Sequence, residues 1–248
     1  MCGRFTQRHA APEIAEHFEL DPDAVPELRP RFNIAPTQPV AVVRRAQGVA
    51  ERELAEVRWG LVPHWVDDPD DWPLLINARS ETAAEKPAFR GAFRNGRCLV
   101  VASGFYEWRE ENGSKTPHYV RPRDDRPVGF AGLWDRRERE GEEPLESGTI
   151  LTCEPNDMLR KLHDRMPVML PADDHEAWLD PSRSREELQG LLRPYPQEEL
   201  LAYPVARRVN RTSNDGPELM EPEGEPIGPV SGEGAPAGTS GQMDLGLE

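Results

Sequence analysis

The chain has 248 residues, with 45 acidic against 30 basic side chains, a formal charge of -15 and an apolar fraction of 37%. That supports one globular core with little left over. No run approaches the roughly 20 consecutive apolar residues of a membrane span, and Met1-Cys2-Gly3-Arg4-Phe5 lacks the apolar core of a secretory signal, so the expectation is a soluble, cytoplasmic chain with no membrane partner.

Cys2, Cys98 and Cys153 form no CxxC pair and no even disulfide framework, so they are expected to be reduced, with no metal centre and no cofactor. The negative charge argues against bulk attraction to DNA or anionic lipid. Its distribution softens that reading: residues 86 to 97 carry Lys86, Arg90, Arg94 and Arg97 and no acid, a run that could hold an anion locally.

In chain order, Pro12 to Leu20 reads as a helix with Ile14 and Phe18 on its apolar face, and Val40 to Val43 as a strand. Asn77 to Thr82 opens a short helix with Ser80 as N-cap, where Arg79 and the helix start would make an anion site. Strands follow at Cys98 to Ala102, His118 to Val120 and Val128 to Trp134, then a charged loop at 138 to 147 and a strand at Thr149 to Cys153. Asn156 would cap a helix running to Leu162; Met166 to Leu170 and Leu200 to Val205 read as strands, with a helix between them opened by the Ser184/Glu187 capping box and ending at Leu192. Many short strands with irregularly placed helices indicate an α+β fold with a curved or barrel-like sheet. From Pro222 onward, seven Gly, four Pro and five acidic residues with no basic one read as a disordered tail, leaving residues 1 to 221 as a single domain.

Cys2 is the most informative residue. Once Met1 is trimmed, it would present an amine and a thiol on adjacent carbons, both partly deprotonated near neutral pH by their reference values. Such a pair can condense with an aldehyde to a Schiff base and then close a thiazolidine ring intramolecularly, or serve as an N-terminal nucleophile. Glu107, between aromatics just past a strand, is a candidate general acid or base, and His163, beside Asp164 and Arg165, a candidate proton shuttle. Asn77 offers amide hydrogen bonds to an oxygen. Trp59 to Trp65 and Asn33 to Pro36 are Pro- and Gly-punctuated segments whose aromatics are either buried or free to stack on bases.

The order of these segments is distinctive. Met1-Cys2-Gly3-Arg4 is followed by Asn33-Ile34-Ala35-Pro36-Thr37-Gln38, Trp59-Gly60-Leu61-Val62-Pro63, Ile76-Asn77-Ala78-Arg79-Ser80-Glu81-Thr82, Gly104-Phe105-Tyr106-Glu107-Trp108 and His163-Asp164-Arg165-Met166-Pro167. The set resembles the SRAP family, SOS-response-associated peptidase-like proteins that shield abasic sites in single-stranded DNA, and it extends through Val209-Asn210 and Asn214 to Leu219. The resemblance implies a bifurcated, mostly antiparallel sheet with a barrel-like core and flanking helices. It also implies loss of Met1, by self-cleavage or by another enzyme, and then a covalent crosslink of Cys2 to the ring-opened sugar, with strand cleavage as a side reaction if the imine is not trapped. Cys2 would be the nucleophile, Asn77 would position amine and sugar, Glu107 would shuttle protons and His163 would assist ring opening and reversal. Arg4, Arg79 and Arg165, with Arg90 and Arg94, would hold phosphates; Pro36, Trp65 and Trp108 would form an apolar wall against bases, with Asn33 lining the cleft. The implied setting is a monomer on nucleoid DNA.

The acidic run Asp67, Asp68, Asp70 and Asp71 stands near this presumed cleft, where it would repel phosphate unless directed away. In the tail, Gln242 to Leu247 looks like the short peptides that dock replication proteins on a sliding clamp, a partner that would raise local concentration at forks. Two other classes remain open on the residues alone: a cysteine peptidase or N-terminal-nucleophile amidohydrolase using Cys2, His163 and Glu107, and a non-covalent single-strand binder for which Cys2 is dispensable.

Overall fold

The computed structural model describes residues 2–45, 51–111 and 113–227. Thirteen strands run in chain order as β1 Phe5–Gln7, β2 Arg31–Ile34, β3 Pro39–Arg45, β4 Arg52–Trp59, β5 Asn77–Arg79, β6 Arg97–Ala102, β7 Gly104–Glu111, β8 Ser114–Pro122, β9 Val128–Arg137, β10 Leu145–Cys153, β11 Met166–Pro167, β12 Met169–Leu170 and β13 Leu200–Pro204. The α-helices are α1 Ala11–Phe18, α2 Ser80–Ala83, α3 Pro87–Asn95, α4 Ala172–Leu179 and α5 Arg185–Leu191.

The larger sheet closes on itself. β10 pairs with both β4 and β9, so β3, β4, β10, β9 and β6 form a five-stranded barrel, antiparallel except at β4–β10, with β5, β11 and β12 attached to it. Closure leaves no bare edge in that ring. The smaller sheet has the order β13-β8-β7-β1-β2. The chain passes from barrel to second sheet through Ser103 alone, between β6 and β7, which is the bifurcation the family resemblance implies. Glycine at position 104 is required there, because a Cβ would lie 2.5 Å from the Val120 carbonyl oxygen and 2.6 Å from the Tyr119 hydroxyl.

Buried apolar residues from both sheets form the main core, in which the Phe5 ring meets Trp59 at 5.1 Å and Phe130 at 6.0 Å. A smaller cluster on the far face of the second sheet contains Tyr106, Tyr119, Tyr203, Val205, Val209 and Leu219.

Several elements depart from the sequence expectations. The basic run at 86 to 97 is helix α3 and the start of β6: Phe89, Ala92 and Phe93 face inward, Arg90 and Arg94 outward, while Arg97 is buried and donates to the carbonyls of Phe93, Arg94, Trp178 and Asp180. Only part of that run is therefore free to meet an anion. Asn156 does accept from the Leu159 N–H at 2.9 Å, but it caps a 3-10 turn at Leu159–Lys161, because the chain turns back to enter β11 at Met166. The charged loop is shorter than expected: β10 begins at Leu145, where Glu146 is drawn in by Arg44 at 2.9 Å. Helix α1 stops at Phe18, since Glu19 adopts a left-handed conformation at φ 53°. The segment expected to leave the domain at Pro222 stays on β13, with Glu223 N–H donating to the Pro204 carbonyl at 2.8 Å and Ile227 N–H to Ala202 at 2.7 Å. The clamp-like segment Gln242 to Leu247 lies outside the described residues.

Candidate functional site at the N-terminus

Strand register brings the site together. Phe5 pairs with Phe105, Thr6 with Gly104, and the Tyr106 N–H donates to the Arg4 carbonyl at 2.9 Å, so the chain before β1 runs back alongside Glu107 and Trp108. On the larger sheet, β5 lies parallel to β10, with Asn77 opposite Ile150 and Arg79 opposite Thr152; β11 pairs at the end of that same strand, with Pro167 opposite Thr152. Asn77 and the His163 turn therefore flank the end of β10. The Trp59 indole fixes the approach to β5 by donating to the Ile76 carbonyl at 2.9 Å.

The two halves meet at Cys2. Asn77 Nδ2 donates to the Cys2 carbonyl at 2.9 Å, whereas Asn77 Oδ1 is buried without a hydrogen-bond partner. Cys2 itself is fully buried, and burial, helped by the negative charge of Glu107, pushes its thiol up to about 12. The expectation of a partly ionised thiol near neutral pH is thus corrected: in this closed environment the thiol holds its proton. Glu107 is 5% exposed. Burial raises its carboxyl above the usual range, opposed in part by His163 and by the Trp108 N–H, which donates to Oε1 at 3.2 Å. A carboxyl raised in this way can exchange protons closer to neutrality. His163 is 30% exposed at its side chain, with Nδ1 2.7 Å from Asp164 and 3.0 Å from the Arg165 N–H.

The proposed DNA contacts divide into two groups. Arg79, Arg90 and Arg94 are exposed, Trp65 is 46% exposed with its ring edge-on to Trp72, Pro36 is half-buried, and Trp108 is half-buried with its indole N–H on Asn210 at 2.8 Å. Asn33, Arg4 and Arg165 are instead committed within the fold. Asn33 is buried and spends its amide on the carbonyls of Val209, Arg211 and Asn214, accepting in turn from Arg4 at 2.7 Å, so it clips a loop rather than lining an open cleft. Arg4 donates also to the Val209 carbonyl and lies 5.8 Å over the Trp108 ring. Arg165 makes a two-pronged pair with Glu81 at 2.7 and 2.9 Å and bonds the Thr152 carbonyl, which leaves its guanidinium only 12% exposed. A phosphate would have to compete with Glu81 for it.

Ser80 does not cap α2: it is buried as the first residue of a single helical turn, and the cap position falls on Arg79, whose side chain makes no cap bond. One turn is too short to hold an anion by its dipole. The acidic run is partly neutralised, since Arg139 pairs with Asp67 at 3.2 Å and Arg137 binds the carbonyls of Val66 and Asp67. Glu81 and Asn210 escaped notice as individual residues, although both sit inside quoted motifs; what gives them a role is contact across the fold. Among the described residues no three His, Cys, Asp or Glu side chains gather as a metal site, and no helix is long and apolar enough to cross a membrane.

A five-stranded barrel joined to a second sheet, with an N-terminal cysteine buried where they meet, defines the architectural class. Residues 1–212 match the family model for SOS response associated peptidase (SRAP), and the chain belongs to that family. A Bacillus subtilis relative called abasic site processing protein YoaM is 37% identical over 228 residues, covering 90% of this chain and 99% of its own length. The Escherichia coli abasic site processing protein YedK is 31% identical, covering 90% of this chain and 100% of its own. A crystal structure from Bacteroides thetaiotaomicron superposes with a TM-score of 0.80 at 26% identity, over 89% of this chain and 99% of that one.

Proposed function

We propose that this protein captures abasic sites in single-stranded DNA covalently through Cys2 after hydrolysis of the Met1–Cys2 bond. The observation that carries the reading is the Asn77 amide, which holds the Cys2 backbone through Nδ2 and keeps Oδ1 buried and free. An N–H of the liberated Cys2 amine is the donor that Oδ1 lacks.

The chemistry balances with loss of one water. The amine attacks C1' of the open-chain aldehyde; the resulting carbinolamine expels hydroxide, which leaves as water with a proton supplied by Glu107 or His163. The thiol then adds to C1' of the imine, and its proton returns to the same carboxyl and imidazole. Thiol addition is intramolecular, so it proceeds at high effective molarity even from a largely protonated Cys2. In the closed ring C1' carries nitrogen and sulfur and no C=N bond, which removes the driving force for β-elimination and protects the strand.

Exposed Trp65, with Pro36 and Trp108, offers surfaces for base stacking, and Arg79, Arg90 and Arg94 meet phosphates. The names of the relatives point to the same substrate. A peptidase that uses Cys2 directly would need a ready thiolate, and burial opposes one. The test is a denaturing-gel crosslink assay with an abasic single strand. Cys2→Ala should give no adduct stable without reductant, and Cys2→Ser only an adduct that survives after borohydride; a reductant-independent adduct with Cys2→Ala overturns the reading.

A further inference from the structure

The body of this protein is acidic, and its exposed arginines mostly carry a carboxylate: Arg126 holds Glu199, Arg136 holds Glu138, Arg183 holds Glu187, Arg185 holds Glu85 and Arg193 holds Asp174. Arg208 and Arg211 differ. Both are exposed, and among the described residues neither has a carboxylate at ion-pair distance. They stand on a 3-10 turn at Arg207–Asn210 and the residue after it.

That turn is wired into the site. Asn33 holds the carbonyls of Val209 and Arg211, Arg4 holds Val209 as well, and Asn210 accepts the Trp108 indole N–H. Val209 is fully buried in the smaller core, and Asn214 ties the loop to itself through the Arg208 carbonyl at 2.8 Å. Two unneutralised guanidinium groups are therefore carried on a rigid support joined directly to the Trp108 ring. Arg207 is different again, because it donates to Ser114 Oγ at 2.6 Å.

We propose that Arg208 and Arg211 form a second phosphate-binding edge that carries the DNA strand onward past Trp108, beyond the nucleotides at Cys2. The inference rests on the proposed capture of single-stranded DNA. Carboxylates are withheld from these two arginines because a polyanion supplies the counter-charge. Each phosphate so engaged releases condensed cations, so the edge should appear in the salt dependence of binding.

The experiment measures the affinity of the full chain and of the Arg208→Ala/Arg211→Ala double variant for undamaged thymidine oligonucleotides of increasing length, across a salt series. The wild type should gain affinity with length, and the double variant should lose most of that gain, with the slope of log K against log salt shallower by about 0.7 per lost contact, roughly 1.4 in total. Arg208→Glu/Arg211→Glu should lose more, through repulsion. Length and salt dependences equal to those of the wild type overturn the proposal, as does a loss equal at every length. Because the DNA carries no lesion, failure of the covalent reading would show separately, as absence of a wild-type crosslink to an abasic strand.

Discussion

The Asn77 side chain donates to the Cys2 carbonyl at 2.9 Å while its own carbonyl oxygen stays buried and unpaired. The amide is oriented for an N–H that the chain gains only when Met1 is removed. Asn77→Ala should therefore slow single-turnover crosslinking by tenfold or more, since both the hold on the backbone and the acceptor for the amine are lost, each worth about 1 kcal/mol. The rate at saturating DNA checks this, and an unchanged rate speaks against the role.

Glu107 sets opposing demands on activity and stability. Burial holds its folded-state carboxyl above the ordinary value of 4.5, so the folded chain keeps a proton that the unfolded chain gives up. Its contribution is present at low pH and lost as pH climbs above that ordinary value. Glu107→Gln should accordingly raise the melting temperature near neutral pH, by an amount that shrinks toward acid, while it slows crosslinking. Thermal melts over a pH series read the first effect and crosslink rates the second.

Two histidines behind the barrel act in the opposite sense. His17 and His175 lie 5.6 Å apart, His175 stacks on Phe18, and burial lowers both to about 4. Between the unfolded value of 6.5 and about 4, the unfolded chain binds protons that the folded chain refuses, so stability falls as pH drops through that window. His17→Gln should shrink the fall in melting temperature over that range.

Asn33 holds four hydrogen bonds, three to loop carbonyls and one from Arg4. Asn33→Ala leaves those groups without their partner, at a cost of about 2 kcal/mol, or roughly 4–8 °C in melting temperature. Trp65→Ala removes a ring that is already 46% exposed. It should leave the melting temperature nearly unchanged and weaken binding to undamaged single strands, which fluorescence anisotropy would measure.

The strands at Cys98 to Ala102, Val128 to Trp134 and Thr149 to Cys153 were readable because continuous apolar runs mark strands buried on both faces. α3 was not, because only Phe89, Ala92 and Phe93 carry its buried face and the basic residues between them dominate composition. The ordered motifs pointed to Cys2, Asn77, Glu107 and His163, and the fold brings Cys2 against Asn77 and sets Glu107 within the field of His163. What the motifs could not reveal is which arginines are already occupied. Arg165 and Arg90 look alike as letters, yet one is clamped by Glu81 and the other faces solvent, a distinction made by residues 84 positions apart in the chain.

The covalent reading is tested most directly by the intact mass of the protein after incubation with a single strand bearing one abasic site, without reductant. The expected species lacks Met1 and gains the whole oligonucleotide less one water, and it is absent with Cys2→Ala. A wild-type chain that loses Met1 yet gains no mass, or a Cys2→Ala chain that gains the same mass, would contradict covalent capture through Cys2.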